Sequence, residues 1–221
     1  VKGRSMQYSE GIGIYGTSLL TSGTGKIDVY GEGHGNWTAG ITFRGGSTKI
    51  STGSGNVNLY GINAGAGCTS IFVGNNSTVD MTSVSGNVNL NGYITDPAVN
   101  GSGLGVESGS SVYLGSPGDN SFTGSGNITC NFDGGMWSDG TLRFNSSGDL
   151  SILPYSGIFR GTVWVKSGNI GSSLDDVVIG AVGNTSIINL NDNFSVLGDI
   201  SVYGGEVNLN GSINKINGAD S

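Results

Sequence analysis

The chain has 221 residues, of which only 11% are charged and 43 are glycine, and its net charge is −7. A hydrophobic share of 35% argues against disorder, which combines low hydrophobicity with high net charge. The acidic balance disfavours nucleic acid as a partner, because phosphates require clustered Lys and Arg. No apolar run reaches the roughly 20 residues of a membrane-spanning helix, so we expect no membrane insertion.

One short motif, with the pattern Gly-Asn-Val-Asn-Leu-x-Gly, recurs along the chain. Copies lie at residues 55–61 and 86–92, a looser copy lies at 126–130, and an early echo lies at 25–31. The glycines at 25, 55 and 86 are 30 and 31 residues apart. A late echo lies at 206–211. A fixed period of this length is typical of solenoid architectures.

Each repeat unit contains three short apolar segments in which apolar residues alternate with small or polar ones, as in half-buried strands. In chain order the segments are Ile12/Ile14, Leu20 and Ile27/Val29; Ile41/Phe43, Ile50 and Val57/Leu59; Ile71/Val73, Met81 and Val88/Leu90; and Val112/Leu114, Phe122 and Ile128/Cys130.

Three strands per unit predict an all-β fold, a right-handed parallel β-helix that forms one domain over residues 1–221. One coil cannot bury its apolar face alone, but stacked coils about 4.8 Å apart share a continuous core. Asn56, Asn87 and Asn127 should then form a ladder at one corner. A sandwich of β-hairpins is the alternative, and it would favour tight Asn-Gly turns between successive strands.

The period breaks in two places. Residues 96–109 interrupt the spacing and contain a proline, so we expect an excursion loop there. After Gly140 the units shorten, although Leu142/Phe144, Leu150/Ile152 and Val163/Val165 still read as strands. The register beyond Asp175 is weakly defined by sequence.

The two cysteines, Cys68 and Cys130, are expected to be free thiols. Cys130 takes the inward position of Leu59 and Leu90 in the repeat, which suits a small core residue. Cys68 falls near a corner in a different coil. A disulfide needs Cα atoms within about 7 Å, and these two positions do not meet that condition.

Residues suited to catalysis or metal binding are sparse. His34 lies among glycines and reads as a loop residue, and no cluster suggests a metal or a cofactor. Glycoside hydrolysis needs two facing carboxylates; Asp133 with Asp139, and Asp175 with Asp176, are the pairs that the sequence offers. We expect no enzyme activity, with a polysaccharide-degrading β-helix enzyme as the alternative.

A candidate ligand-binding stripe follows from the alternation. If the flanking apolar residues point inward, Phe72, Tyr113, Arg143 and Trp164 point outward in one column. Exposed aromatic rings pack against the apolar faces of sugars, and Arg pairs with acidic groups. The alternative is that these side chains stabilise the sheet as cross-strand pairs or are covered by the excursion loop.

Asn-x-Ser/Thr sequons are mildly enriched. Such sequons are candidate glycosylation sites in surface proteins, although Asn, Ser and Thr also suit β-helix corners. They begin at Asn36, Asn75, Asn76, Asn100, Asn127, Asn145, Asn184, Asn193 and Asn210.

The repeats resemble a known family. Ser-Gly-Asn-Val-Asn-Leu-x-Gly units, with Gly-Ile-Thr-Phe-Arg-Gly-Gly at 40–46 and Gly-Thr-Leu-Arg-Phe at 140–144, are similar to the filamentous-haemagglutinin repeats of two-partner secretion exoproteins. The sequons make the chain most similar to the glycosylated high-molecular-weight adhesins. The resemblance covers residues 10–215 and is carried by the repeat pattern.

This resemblance implies a segment of a longer Gram-negative exoprotein. Such proteins are exported by a dedicated outer-membrane transporter to the medium or the cell surface, and they attach to host-cell glycans or receptors as virulence factors. A passive stalk, or the receptor-recognition region of a contact-dependent toxin-delivery protein, is the alternative within the same family.

Overall fold

The computed structural model describes residues 1–4, 10–16, 18–35, 38–65, 69–96, 101–155, 159–166, 169–191 and 193–216. These residues form 23 strands. The strands are β1 (Lys2–Arg4), β2 (Ile12–Tyr15), β3 (Ser18–Ser22), β4 (Ile27–Gly33), β5 (Ile41–Arg44), β6 (Ser47–Thr52), β7 (Val57–Asn63), β8 (Thr69–Gly74), β9 (Thr78–Ser83), β10 (Val88–Ile94), β11 (Ser102–Val106), β12 (Ser111–Gly115), β13 (Ile128–Phe132), β14 (Gly135–Ser138), β15 (Thr141–Phe144), β16 (Leu150–Pro154), β17 (Val163–Lys166), β18 (Val177–Gly180), β19 (Ile187–Asn191), β20 (Phe194–Val196), β21 (Ile200–Tyr203), β22 (Glu206–Leu209) and β23 (Ile213–Lys215).

The strands stack into three parallel sheets that wrap around one core. Sheet A has the order β1-β4-β7-β10-β13-β16-β18-β21, and sheet B has the order β2-β5-β8-β11-β14-β17-β19-β22. Sheet C joins β3, β6, β9, β12 and β15, and β20 pairs with β23. Within the described residues the strand pairs are parallel throughout, as in β4 with β7 and β5 with β8. The parallel β-helix is therefore confirmed, and a hairpin sandwich, which needs antiparallel pairs, is excluded.

The core consists of columns of identical positions from successive coils. One column in sheet A runs in register along the stack, and each member is at most 2% exposed. Burying one such aliphatic side chain contributes about 1.5–3 kcal/mol, so the core gains stability coil by coil. The column contains Val29, Leu59, Leu90, Cys130, Ile152 and Ile179.

Glycine marks the corner at which sheet A turns into sheet B. A Cβ on Gly61 would lie 2.3 Å from the carbonyl oxygen of Ser70, so the two backbones approach too closely for any side chain. In the coil of β13 the equivalent position is Phe132. Its ring fits because Gly103 opposes it: a Cβ on Gly103 would lie 2.4 Å from the Cβ of Phe132.

The predicted Asn ladder is present at the corner before sheet A. The backbone N–H of Asn87 donates to Oδ1 of Asn56 at 2.9 Å, and that of Asn127 donates to Oδ1 of Asn87 at 2.9 Å. Aspartates continue the ladder: Asp149 N–H donates to Asn127 Oδ1 at 3.1 Å, and Asp199 N–H donates to the Asp176 carboxylate at 2.8 Å. The ladder thus satisfies corner N–H groups that the strands leave unpaired.

The coils differ in length, and the predicted position of the excursion loop is wrong. Ser102–Val106 is strand β11, which pairs with β8 and β14. The long connection instead follows β12, since β13 begins only at Ile128. The loop was predicted from the interrupted spacing and the proline, whereas Gly103 and Gly105 lie in a strand and each faces a neighbouring aromatic ring. Residues 97–100, which include the proline, lie outside the described residues.

Three further sequence assignments need correction. Val112 pairs with Val79 of β9 and belongs to sheet C, whereas the repeat had placed it beside Ile71 in sheet B. Phe122 lies outside the strands, in the connection after β12. The late echo at 206–211 is β22 of sheet B, paired with β19, because the shorter coils shift the period. From β13 to β16, Ile128 pairs with Leu150, a coil of only 22 residues.

Candidate functional site

The outer face of sheet B carries a column of aromatic side chains, here called the aromatic column (Phe72, Trp137 and Trp164). Phe72 pairs with Gly105, and Gly105 pairs with Trp137. The ring centroids of Phe72 and Trp137 are 6.5 Å apart at an interplanar angle of 51°. Trp164 follows in the next coil and is 40% exposed. An aromatic surface of this kind is a typical contact site for an apolar ring face.

Gly105 is what allows Trp137 to lie against the sheet. A Cβ at this position would lie 2.6 Å from Cε2 and Cζ2 of the indole, well inside the ordinary carbon–carbon contact of about 3.5–4.0 Å. Gly74 does the same for Phe72, whose ring carbon Cε1 would lie 2.6 Å from an added Cβ. Because these glycines have no side chain, the aromatic rings can pack directly against the backbone of the sheet.

At one end of the column a guanidinium covers the first ring. The Cζ atom of Arg44 lies 5.6 Å from the ring centroid of Phe72, within the range of a cation–π contact. A terminal nitrogen of Arg44 also lies 3.7 Å from a carboxylate oxygen of Glu10. This cation is thus engaged by a ring and by a carboxylate.

At the other end the two indoles border an open groove of about 330 Å³, here called the indole groove. Its lining consists of Trp137, Ser138, Asp139, Trp164, Lys166 and Asn191. Nζ of Lys166 donates to the carbonyl oxygen of Ser138 and, at 3.3 Å, to Oδ1 of Asp139. Apolar walls with a few convergent polar groups are the usual composition of a small-molecule site.

The predicted stripe does not form one column. Phe72 and Trp164 lie on sheet B, whereas Tyr113 and Arg143 pair with each other on sheet C. The connection after β12 folds over these two residues: a Cβ on Gly118 would lie 2.7 Å from the Tyr113 ring, and Arg143 donates to Asn120 Oδ1 at 3.0 Å. The prediction combined residues of two different sheets because it assigned Val112 to sheet B, whereas Val112 belongs to sheet C.

Sequence reasoning missed Trp137, Arg44, Asp139, Lys166 and Asn191 as members of this surface. The signal for Trp137 was present, because Met136 is inward and fully buried in β14, so the next residue points outward. It was overlooked because Val112 occupied the place of β11 in the assumed register.

The sequons divide by accessibility. Asn75, Asn76, Asn127, Asn193 and Asn210 are exposed, and the first two occupy a turn with positive φ angles of 55° and 57°. Two other candidates, Asn145 and Asn184, are buried. The last two, Asn36 and Asn100, lie outside the described residues.

The side chains of Asn145 and Asn184 are buried and hydrogen-bonded in the folded chain. They are 6% and 5% exposed, and their amide nitrogens donate to Ser116 Oγ at 3.3 Å and to the carbonyl oxygen of Tyr203 at 2.8 Å. Glycosylation attaches at this nitrogen, which is occupied in both residues. These two sequons therefore have a structural role.

Of the predicted acidic residues, Asp139 lines the indole groove, whereas its predicted pair partner Asp133 is absent from that lining. Nε2 of His34 contacts Oε1 of Glu32 at 2.6 Å. Asp133 is 5% exposed, with one carboxylate oxygen accepting from Ile94 N–H at 3.2 Å, whereas Asp139 is exposed. Asp175 and Asp176 lie exposed at the ladder corner.

Cys130 is a free thiol that is fully buried in the core, and its burial raises the pKa of the thiol. Cys68 lies outside the described residues. In the part of the chain that the structure describes, no three His, Cys, Asp or Glu side chains are grouped to hold a metal ion. Those same residues include no helix long and apolar enough to cross a membrane.

Comparison of the chain with family models, with curated proteins and with solved structures finds no match.

Proposed function

We propose that this chain is a glycan-binding segment of a secreted bacterial adhesin, with the aromatic column as its contact surface. The observation that carries the proposal is the pair Trp137 and Trp164, which are outward neighbours because Met136 pairs with Val163 beneath them. Two indoles on adjacent coils offer an extended apolar surface, and the apolar faces of sugar rings pack on such surfaces.

The rigidity of the support favours recognition over a merely structural role. Met136 and Val163 beneath the indoles are fully buried, and Gly105 provides the seat of Trp137. A site on rigid strands loses little conformational entropy when it binds. Trp164 is substantially exposed, so sheet packing leaves much of its indole face open to a ligand.

The repeat pattern supplies the biological setting of the proposal. Its resemblance to two-partner secretion exoproteins supports export through an outer-membrane transporter, display on the bacterial surface, and host-cell glycans or receptors as partners. The exposed sequons at Asn75 and Asn76 are consistent with a glycosylated surface protein. An adhesin binds its glycan without transforming it, so the proposal includes no catalytic step.

A glycan array probed with the purified chain tests the proposal, with the double variant Trp137→Ala/Trp164→Ala beside it. Each aromatic contact is worth about 0.5–1.5 kcal/mol beyond burial, so we expect the double variant to lose roughly tenfold or more in affinity. Tyr203→Ala is the matched control, because Tyr203 is also 40% exposed but lies on sheet A.

Three outcomes would contradict the proposal. Full binding by the double variant would remove the aromatic column as the site. Absence of binding to any glycan would favour a passive stalk or a protein-receptor region. Release of reducing ends from a polysaccharide would favour the enzyme alternative. Far-ultraviolet circular dichroism of each variant confirms that the fold is retained.

A further inference from the structure

The indole groove has a charge arrangement that bears on which sugars it accepts. Lys166 and Asp139 are both substantially exposed, at 42% and 69% of their side-chain surfaces, and they contact each other at 3.3 Å. The ammonium group also donates to the carbonyl oxygen of Ser138. The cation in the groove is therefore already compensated by a carboxylate and held by a backbone acceptor.

An anionic ligand would bind poorly in this arrangement. A carboxylate or sulfate on the ligand would have to compete with Asp139 for Lys166, and it would lie beside a like charge. Arg44, a second cation of sheet B, lies 3.7 Å from Glu10 and over the Phe72 ring. Lys166 and Arg44 thus each have a carboxylate partner, which favours a neutral ligand.

The polar groups of the groove match adjacent hydroxyl groups. An ammonium group only donates hydrogen bonds and a carboxylate only accepts them. A vicinal diol offers one hydroxyl to each, because every hydroxyl both donates and accepts. Asn191 is held at the edge by Asn210, whose amide nitrogen donates to Asn191 Oδ1 at 2.9 Å.

We infer that the indole groove binds a neutral pyranose. The sugar packs its apolar face on the indoles of Trp137 and Trp164 and places two vicinal hydroxyls on the Lys166–Asp139 pair. This inference rests on the proposed function, and it adds the chemical class of the ligand and two residues that select it. Anionic glycans are disfavoured by the negative charge of Asp139.

The test uses the full chain and titrates neutral, carboxylated and sulfated saccharides, with intrinsic tryptophan emission and calorimetry as readouts. We expect neutral sugars to bind, with an affinity that changes less than about twofold between low and high salt, since no net charge is neutralised. Deoxy analogues that lack either hydroxyl should bind roughly tenfold more weakly, because a hydrogen bond to a charged group is lost.

Matched variants separate the polar pair from the indoles. Lys166→Gln and Asp139→Asn should each weaken binding of the neutral sugar roughly tenfold. Lys215→Gln is the control. Lys215 forms a comparable exposed pair with Asp199, with Nζ and Oδ1 2.9 Å apart, and it does not line the groove. This variant should leave the affinity unchanged.

The outcomes distinguish this inference from the proposed function. If only acidic glycans bind, with salt-sensitive affinity, the neutral-ligand inference is overturned while glycan binding by the aromatic column stands. The same holds if neutral sugars bind but Lys166→Gln and Asp139→Asn bind them as tightly as the wild-type chain. If no saccharide binds, both the inference and the proposed function fail.

Discussion

Two valines in one coil provide a direct test of the coil stacking. Val88 begins β10 and lies between Val57 and Ile128 of the adjacent coils. It is 1% exposed, whereas Val84, four residues earlier, is 52% exposed. Val88→Ala and Val84→Ala remove the same two carbon atoms, so the two variants differ only in the environment that loses them.

The structure sets the size of the difference. Each buried carbon group contributes about 0.8 kcal/mol, so Val88→Ala loses about 1.6 kcal/mol of transfer free energy, and incomplete collapse of the cavity adds roughly 1 kcal/mol. We therefore expect a loss of about 2–3 kcal/mol in the free energy of unfolding. Val84→Ala removes half-solvated groups and leaves no cavity, so its loss should stay below about 1 kcal/mol.

Urea unfolding followed by circular dichroism measures both values. The midpoint should fall clearly for Val88→Ala and little for Val84→Ala, with similar slopes for both because the fold is unchanged. Equal losses in the two variants would refute the inward assignment of Val88, because removing buried methyl groups destabilises the fold more than removing exposed ones.

Three further predictions concern other parts of the fold. The Cys130 thiol should react with a thiol reagent only on unfolding, because burial raises its pKa; labelling of the folded chain that disappears in Cys130→Ala would contradict this. Burial also raises the pKa of Tyr93 to about 12 from 10.0, helped by the neighbouring Tyr155. Stability from keeping Tyr93 neutral is therefore complete below pH 10 and is lost as the pH rises toward 12, where the unfolded chain has already released this proton. Urea midpoints of wild type and Tyr93→Phe against pH measure this, and parallel curves would count against it. Gly105→Ala should displace the Trp137 indole by roughly 1 Å to restore ordinary contact, with altered tryptophan emission and weaker glycan binding; unchanged emission would show that Gly105 is not its seat.

Much of the coil geometry could be predicted from the sequence, because it follows from the alternation within each strand and from the spacing between repeats. The alternation in Ile27–Val29 and in Val57–Leu59 assigns inward and outward sides within a strand, and a constant spacing of 30 or 31 residues aligns one coil with the next. The Asn56, Asn87 and Asn127 ladder followed from the same spacing, and hydrogen bonds of 2.9 Å confirm it.

The assignment of strands to sheets failed where a coil became longer while its strands kept the same alternation of apolar and polar residues. The coil from Val88 to Ile128 has 40 residues, and an alternating strand such as Val112–Leu114 fits either sheet B or sheet C when viewed alone. Only the pairing of Val112 with Val79 decides between the two sheets. That decision moved Tyr113 and Arg143 off the candidate site and brought Trp137 into it.

By itself, the sequence determined the short strands, their inward sides and the 30- or 31-residue repeat that predicts a three-sided parallel β-helix, since alternation and spacing follow from the order of residues along the chain. The tertiary structure alone decided which outward side chains share a surface, because that depends on how many residues each turn inserts between strands. Two glycines show the same contrast between what the sequence indicates and what the tertiary structure decides. Gly103 and Gly105 resemble loop residues in sequence, and only the rings of Phe132 and Trp137 packed against them explain why no side chain fits there.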